Sequence, residues 1–259
     1  MRKIESLNKK QLVDYCKLIG IETKNKAKNI MMEEAQEYGN NEIRQAIEAG
    51  APLPLLTLKI EELAELYAQN LGEKIEARKE EMLLDDNSHY LIYRVLGIPT
   101  EEGRLIDEYQ NTGRFLYKYA GSFLEEAASL CLQFKNLNGG KTLVENNQGA
   151  RPKTFEIDFL DEGNAIEIKW RDATTDGDHI TKEHTRVKAI KSHGYKPIRV
   201  MFYYPQREQA KRIQETLKTI YAGVGGEYYG GDEAWDFLTA YTGFDLKEIL
   251  TKIADDRDA

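Results

Sequence analysis

The chain has 259 residues, 41% of them hydrophobic, which allows one large domain or a catalytic domain beside a smaller helical one. Its formal net charge of −8 excludes a protein coated in basic surface, but not one that meets nucleic acid through a local patch. Cys16 and Cys131 form no C-x-x-C pair, and no apolar run approaches the ~20 residues of a membrane span, so a cytoplasmic protein with reduced thiols and no membrane contact is expected.

Residues 1–50 are polar with helical spacing, and Leu7, Leu12, Tyr15 and Leu18 mark one short amphipathic helix. Residues 51–56 hold two prolines and read as a connection or domain edge. Residues 57–84 read as a long charged helix with Leu58, Leu63, Leu66, Tyr67, Leu71 and Ile75 as its stripe, a scaffold or dimer contact. A second, apolar helical piece covers 88–97 and is closed by Gly97 and Pro99, and a long helical region runs over 101–134. Residues 136–148 are loop-like. Gly140-Lys141-Thr142 resembles the tail of a phosphate-binding loop, but Lys135 stands where that loop needs its first glycine, so no nucleotide cofactor is expected. A first strand is expected over 142–144.

The stretch Phe155 to Trp170 carries the chemistry. Phe155, Ile157 and Phe159 alternate with Glu156, Asp158 and Leu160, and Ala165, Glu167 and Lys169 alternate with Ile166, Ile168 and Trp170. Period-two alternation around Asp-Glu-Gly-Asn reads as a hairpin with Glu162-Gly163 as its two-residue turn. Paired residues then have numbers that add up to 325. Ile157 faces Ile168 and Phe159 faces Ile166 on an apolar side; Asp158 faces Glu167 and Glu156 faces Lys169 on a charged side. Cross-strand Cβ atoms lie roughly 5 Å apart. Two carboxylates that close repel unless a cation sits between them or one takes a proton. With Lys169 beside them, Asp158 and Glu167 form a compact divalent-metal site next to an ammonium group. The other reading is a hairpin with a solvated charged face.

Residues 172–178 are a short polar segment, and 179–193 read as a helix with Ile180, Val187 and Ile190 on a thin apolar face. From Lys169 to Arg199 eight Lys and Arg stand against four Asp and Glu, a local positive excess in an acidic chain. Three of the four histidines fall there too. This suits a DNA-facing surface: Arg171, Lys182 and Arg186 for phosphates, and Thr174, Thr175, Asp176, Asp178, His179 and Glu183 for base edges. A central strand over 197–204, a helix over 206–222, a glycine-rich loop over 223–231 and two short helices split by Gly243 complete the chain.

Asp158 followed by Glu167-Ile168-Lys169 resembles the core of the PD-(D/E)xK nucleases, although Ile157 replaces the proline of the name. The continuation W-R-D-A-T-T-D-G-D-H, from Trp170 to His179, is similar to the ApaLI-type restriction endonucleases. The resemblance implies an α/β, restriction-endonuclease-like fold: a mixed central sheet flanked by helices, with a helical N-terminal region over 1–100 and the catalytic domain over 101–259. It implies a type II restriction endonuclease that hydrolyses double-stranded DNA with Mg²⁺ held by Asp158 and Glu167, and Lys169 acting on the attacking water. It also implies a supporting glutamate on the helix before the core strands, Glu125 or Glu126, a palindromic six-base site such as GTGCAC, and a homodimer. Two rival readings are a structure-specific repair or junction-resolving nuclease and a non-catalytic DNA-binding protein on the same fold.

Overall fold

The structure is a computed structural model that describes residues 9–24, 26–149, 151–171 and 177–258, with the backbone alone at Gln11, Gly177 and Asp178. Helix α1 (Lys9–Leu18) packs Leu12 and Cys16 against Met31 and Ala35 of α2 (Lys28–Glu48) in a small cluster of their own. Leu18, expected on the buried stripe of α1, is exposed, and Cys16 takes that place. Helix α3 (Pro52–Leu83) begins earlier than its pattern suggests, because Pro52 and Pro54 fall in its first turn. There a missing N–H costs nothing and the fixed φ favours the helix, so the two prolines start the element rather than linking two others.

After the short α4 (Tyr90–Val95) comes α5 (Thr100–Lys135). Its 36 residues extend about 54 Å at 1.5 Å per residue. Apart from Gly103, burial is confined to the second half, through Leu124, Ala127, Ala128, Leu130, Cys131, Leu132 and Phe134. That half lies on a five-stranded sheet of β1 (Gly140–Glu145), β2 (Thr154–Asp161), β3 (Asn164–Arg171), β4 (Lys196–Tyr203) and β5 (Glu227–Gly230), in spatial order β1-β2-β3-β4-β5. The pairs β1–β2 and β2–β3 are antiparallel, and β3–β4 and β4–β5 are parallel. The parallel pairs need crossovers, supplied by α6 (Gly177–Ser192) and α7 (Glu208–Gly223). Helices α8 (Asp232–Thr242) and α9 (Leu246–Asp258) close the chain, and Gly243, with φ 81°, ends α8.

The two faces of the sheet differ. One is apolar except for Asp161 at its turn end: Phe159, Ile166, Ile168, Ile198, Val200 and Phe202 pack on α5, α8 and α9, and through Leu56, Ile60 and Leu63 the same core reaches α3. The other carries Val144, Phe155, Ile157 and Ala165 under α6, and Met201 under α6 and α7. It also carries every charged group of the site described below. The architecture is the expected mixed sheet flanked by helices. Strand β5 is a correction, since glycines on both sides made 223–231 read as loop. Gly226 is there because of packing: a Cβ would lie 2.4 Å from the Pro197 carbonyl oxygen. No helix among the described residues is long and apolar enough to cross a membrane.

Candidate active site

The hairpin β2–β3 turns at Glu162 (φ 47°) and Gly163 (φ 91°), the doubly positive φ of a two-residue primed turn. Asp161 pairs with Asn164, Leu160 with Ala165 and Phe159 with Ile166, the expected register. Beyond Phe159 the pairing changes character. Gly140 pairs with Leu160 but Thr142 with Ile157, so two residues of β2, Asp158 and Phe159, stand against Lys141 alone. This is a β-bulge, a device that re-aims side chains beside functional sites. It corrects the expected faces. Ile157 packs in the cluster under α6 and Phe159 in the cluster on α5, so the two do not share one apolar side.

The bulge also turns Asp158 toward β3. Its Oδ2 accepts the Ile168 N–H at 2.9 Å, replacing a backbone carbonyl in the ladder, and lies 3.7 Å from Lys169 Nζ. Its contacts within the described residues all run through Oδ2. Glu167, only 3% exposed, carries Lys169 on Oε1, and the Arg186 guanidinium spans both its oxygens, with Nη1 2.6 Å from Oε1. Asp158, Glu167 and Lys169 are thus brought together, as expected. Glu156 is not opposite Lys169. It is exposed and bonds Lys141 at 2.6 Å, while its carbonyl accepts from Arg186.

The two carboxylates differ electrically. Burial, then the charges of Glu167 and Glu125, push Asp158 up to about 7 against the pull of Lys169. Burial would raise Glu167 too, but Lys169 and Arg186 hold it below the ordinary carboxylate range. At neutral pH Glu167 is therefore ionised and closely paired, while Asp158 shares Lys169 with it at 3.7 Å and is only partly compensated. Among the described residues no three His, Cys, Asp or Glu side chains gather as a metal cage. Two hard-oxygen carboxylates at the mouth of a forked hairpin suit Mg²⁺, which keeps several waters and binds through one or two carboxylates together with substrate phosphates.

Glu125 and Glu126 separate cleanly. Glu125 lies 3.6 Å from Lys141 Nζ, and its charge acts on Asp158. Glu126 turns to the Tyr67 hydroxyl, which burial and that bond raise in pKa. Lys141, which the sequence offered only as part of a failed phosphate loop, therefore bridges Glu125 and Glu156 at the rim of the site.

The expected DNA-facing residues divide. Thr174, Thr175 and Asp176 lie outside the described residues, as does the Asp178 side chain. Lys182 and Lys188 are exposed on α6, and His179 is half-buried at its start. Arg171 is exposed at the end of β3, with its guanidinium over Tyr117 and Trp170. Arg186 is turned inward onto Glu167. Glu183, expected to read bases, is 5% exposed: its Oε1 accepts from the Tyr221 hydroxyl at 2.6 Å and pairs with Arg199 at 3.3 Å, so it belongs to the interior. Sequence reasoning missed Arg199, fully buried and paired across the sheet with Glu167. Its signal was a single charge in the apolar run P-I-R-V-M-F.

A protein-family model described as ApaLI-like restriction endonuclease matches residues 24–255. No curated protein and no solved structure matches the chain. The family match spans nearly the whole chain and covers both the forked hairpin with Asp158, Glu167 and Lys169 and the helix that follows it: the chain belongs to the ApaLI-like restriction endonuclease family.

Proposed function

We propose that the chain is a type II restriction endonuclease, a Mg²⁺-dependent hydrolase of phosphodiester bonds at a fixed site in double-stranded DNA. One observation carries this reading: the bulge in β2 brings Asp158 beside Glu167 and Lys169, where the paired strands diverge and two carboxylates share one ammonium. Asp158 and Glu167 would hold the metal. When bound, Mg²⁺ would lower the pKa of a water and neutralise charge on the phosphate. Lys169, fixed between the two carboxylates, orients that water and presents an ammonium to the developing negative charge. Glu125 and Lys141 set the charge at the rim. Lys182 and Lys188 contact phosphates along α6, Arg171 does so at the end of β3, and Thr174, Thr175, Asp176, Asp178 and His179 reach base edges. The family resemblance favours a palindromic six-base site such as GTGCAC, and a palindrome read by one active site per chain calls for a two-fold homodimer.

The test is incubation with plasmid DNA carrying one GTGCAC site. Linear product in Mg²⁺ and none in chelator is expected. Asp158→Ala and Glu167→Ala abolish cleavage while the fold persists, and Lys169→Ala loses cleavage but still binds DNA. Nicks that follow DNA structure rather than sequence would instead mark a repair or junction nuclease, and intact plasmid in every condition a binding protein.

A further inference from the structure

Around Glu167 three carboxylates, Asp158, Glu167 and Glu183, face three cations, Lys169, Arg186 and Arg199. As it stands the cluster is balanced in charge. A divalent cation arriving between Asp158 and Glu167 adds two positive charges within a few ångströms of that balance, and a resident cation must yield. Lys169 touches both carboxylates and therefore serves the site with or without metal. Among the described residues Arg186 bonds Glu167 and one backbone carbonyl. Lys169 and Arg186 Nη1 share Oε1 and Arg186 Nη2 sits on Oε2, so a metal reaching Glu167 finds most of the roughly four lone-pair sites taken and a guanidinium charge against the one left open. The Arg186 Nε is buried without a hydrogen-bond partner among the described residues, so the inward position leaves one donor unmet.

We propose that Arg186 is the stand-in cation of the metal site: it holds Glu167 in place in the metal-free protein and is displaced from it when a divalent metal binds. Displacement turns the guanidinium from an internal partner into a free phosphate ligand at the rim, so the metal and the DNA contact of α6 are coupled through one side chain. Arg186 is a positioning residue in one state and a DNA contact in the other. The inference rests on the reading of Asp158 and Glu167 as the metal-holding pair.

The experiment is calorimetric titration of the full chain, without DNA, with Mn²⁺, which takes the same carboxylate oxygens. Arg186→Gln removes the charge and should bind Mn²⁺ at least tenfold more tightly than the wild type. Arg186→Lys keeps the charge but cannot span two oxygens, and should fall between the two. Unchanged or weaker binding in Arg186→Gln overturns the inference, because the arginine would then be neutral toward the metal or needed to shape its ligand. Far-ultraviolet circular dichroism checks each fold. If the glutamine variant does not fold, the lysine variant decides on the same criterion: tighter than wild type supports, equal or weaker overturns. Metal binding by the wild type with no gain in the variants removes this inference alone. A silent titration with all three proteins, together with uncut plasmid, removes the metal site and the inference with it.

Discussion

Asp161 separates the structural charges of the hairpin from the chemical ones. By sequence it groups with Glu156, Asp158 and Glu167 on one acidic stretch where a polyanion must approach. In the structure it lies at the turn end of β2, fully buried, accepting from Lys135 Nζ at 2.6 Å, Asn136 Nδ2 at 2.5 Å and the Tyr241 hydroxyl at 2.6 Å. It therefore ties the C-terminal ends of α5 and α8 to the hairpin. Breaking one partner out of a buried ion pair costs about 3–5 kcal/mol. Lys135 keeps 31% of its side chain in water, so the lower end applies, about 3 kcal/mol for Asp161→Ala. At about 2–4 °C per kcal/mol for a chain of this size, the melting temperature should fall by about 6–12 °C. Asp161→Asn keeps the shape and loses the charge, and should fall about half as far. Burial opposes ionisation of Asp161, but the bonds from Lys135, Tyr241 and Asn136 outweigh it and hold its pKa below the ordinary value. Its contribution is thus present above the unfolded value near 3.9 and lost as pH falls through the depressed folded value. The gap between wild type and Asp161→Asn should be flat from pH 5 to pH 8 and close in acid. Melting curves in chelator, paired with plasmid cleavage well below the transition, test this. A variant with wild-type melting temperature and no cleavage would refute the reasoning and place Asp161 among the catalytic groups.

Asp158 should behave in the opposite way. With its folded pKa pushed up to about 7, it destabilises the metal-free fold as pH rises from about 4 to 7, so Asp158→Asn should melt higher than wild type at pH 8, by at most about 4 kcal/mol, and equally at pH 4. An equal or lower melting point at pH 8 would show that the carboxylate is compensated in some other way. Ca²⁺ should tighten binding to a cognate duplex without cutting it, because it neutralises the same carboxylates at looser geometry; equal affinity in Ca²⁺ and in chelator would mean that they do not face the scissile phosphate. Lys182→Ala and Lys188→Ala should weaken binding to specific and scrambled duplexes alike and reduce the salt slope of log K by about 1 each, and a loss confined to the cognate duplex would instead assign them to base reading.

The hairpin was legible because its turn and its register are local. Glu162-Gly163 admits positive φ, and one turn type fixes every pair up to Phe159 and Ile166. The bulge was not, because it is defined by Lys141 on another strand. Its trace lies in Phe159-Leu160, two apolar residues in succession that break the alternation and pack on opposite sides of the sheet. Glu125 and Glu126 could not be told apart, since neighbours on a helix differ by 100° and only the position of Tyr67 on α3 shows which one turns away. The polar character of α6 suggested a solvent- and DNA-facing helix. Glu183 and Arg186 escaped that reading because their partners, Arg199 and Glu167, arrive from strands whose order no local pattern reveals.

The two faces of the sheet explain how such a charge cluster can exist in a fold of marginal stability. Removing charges from water costs several kcal/mol per ion, and mutual attraction offsets this only where geometry is close and every lone pair is met. The face on α5, α8 and α9 has one such group, Asp161 at the turn end, met by Lys135, Asn136 and Tyr241; its aromatic and aliphatic packing, with Phe202 against Trp235 at 4.3 Å, can anchor β2, β3 and β4 whatever happens opposite. On the α6 and α7 face Tyr221, Glu183, Arg199, Glu167, Arg186, Lys169 and Asp158 form one connected chain from the interior to the hairpin mouth. Its charge contacts are closest at the inner end and loosest at Asp158, which Lys169 meets at 3.7 Å. A site whose least compensated carboxylate ends that chain is one in which a cation is drawn to Asp158, while the partners behind it hold the carboxylates in place.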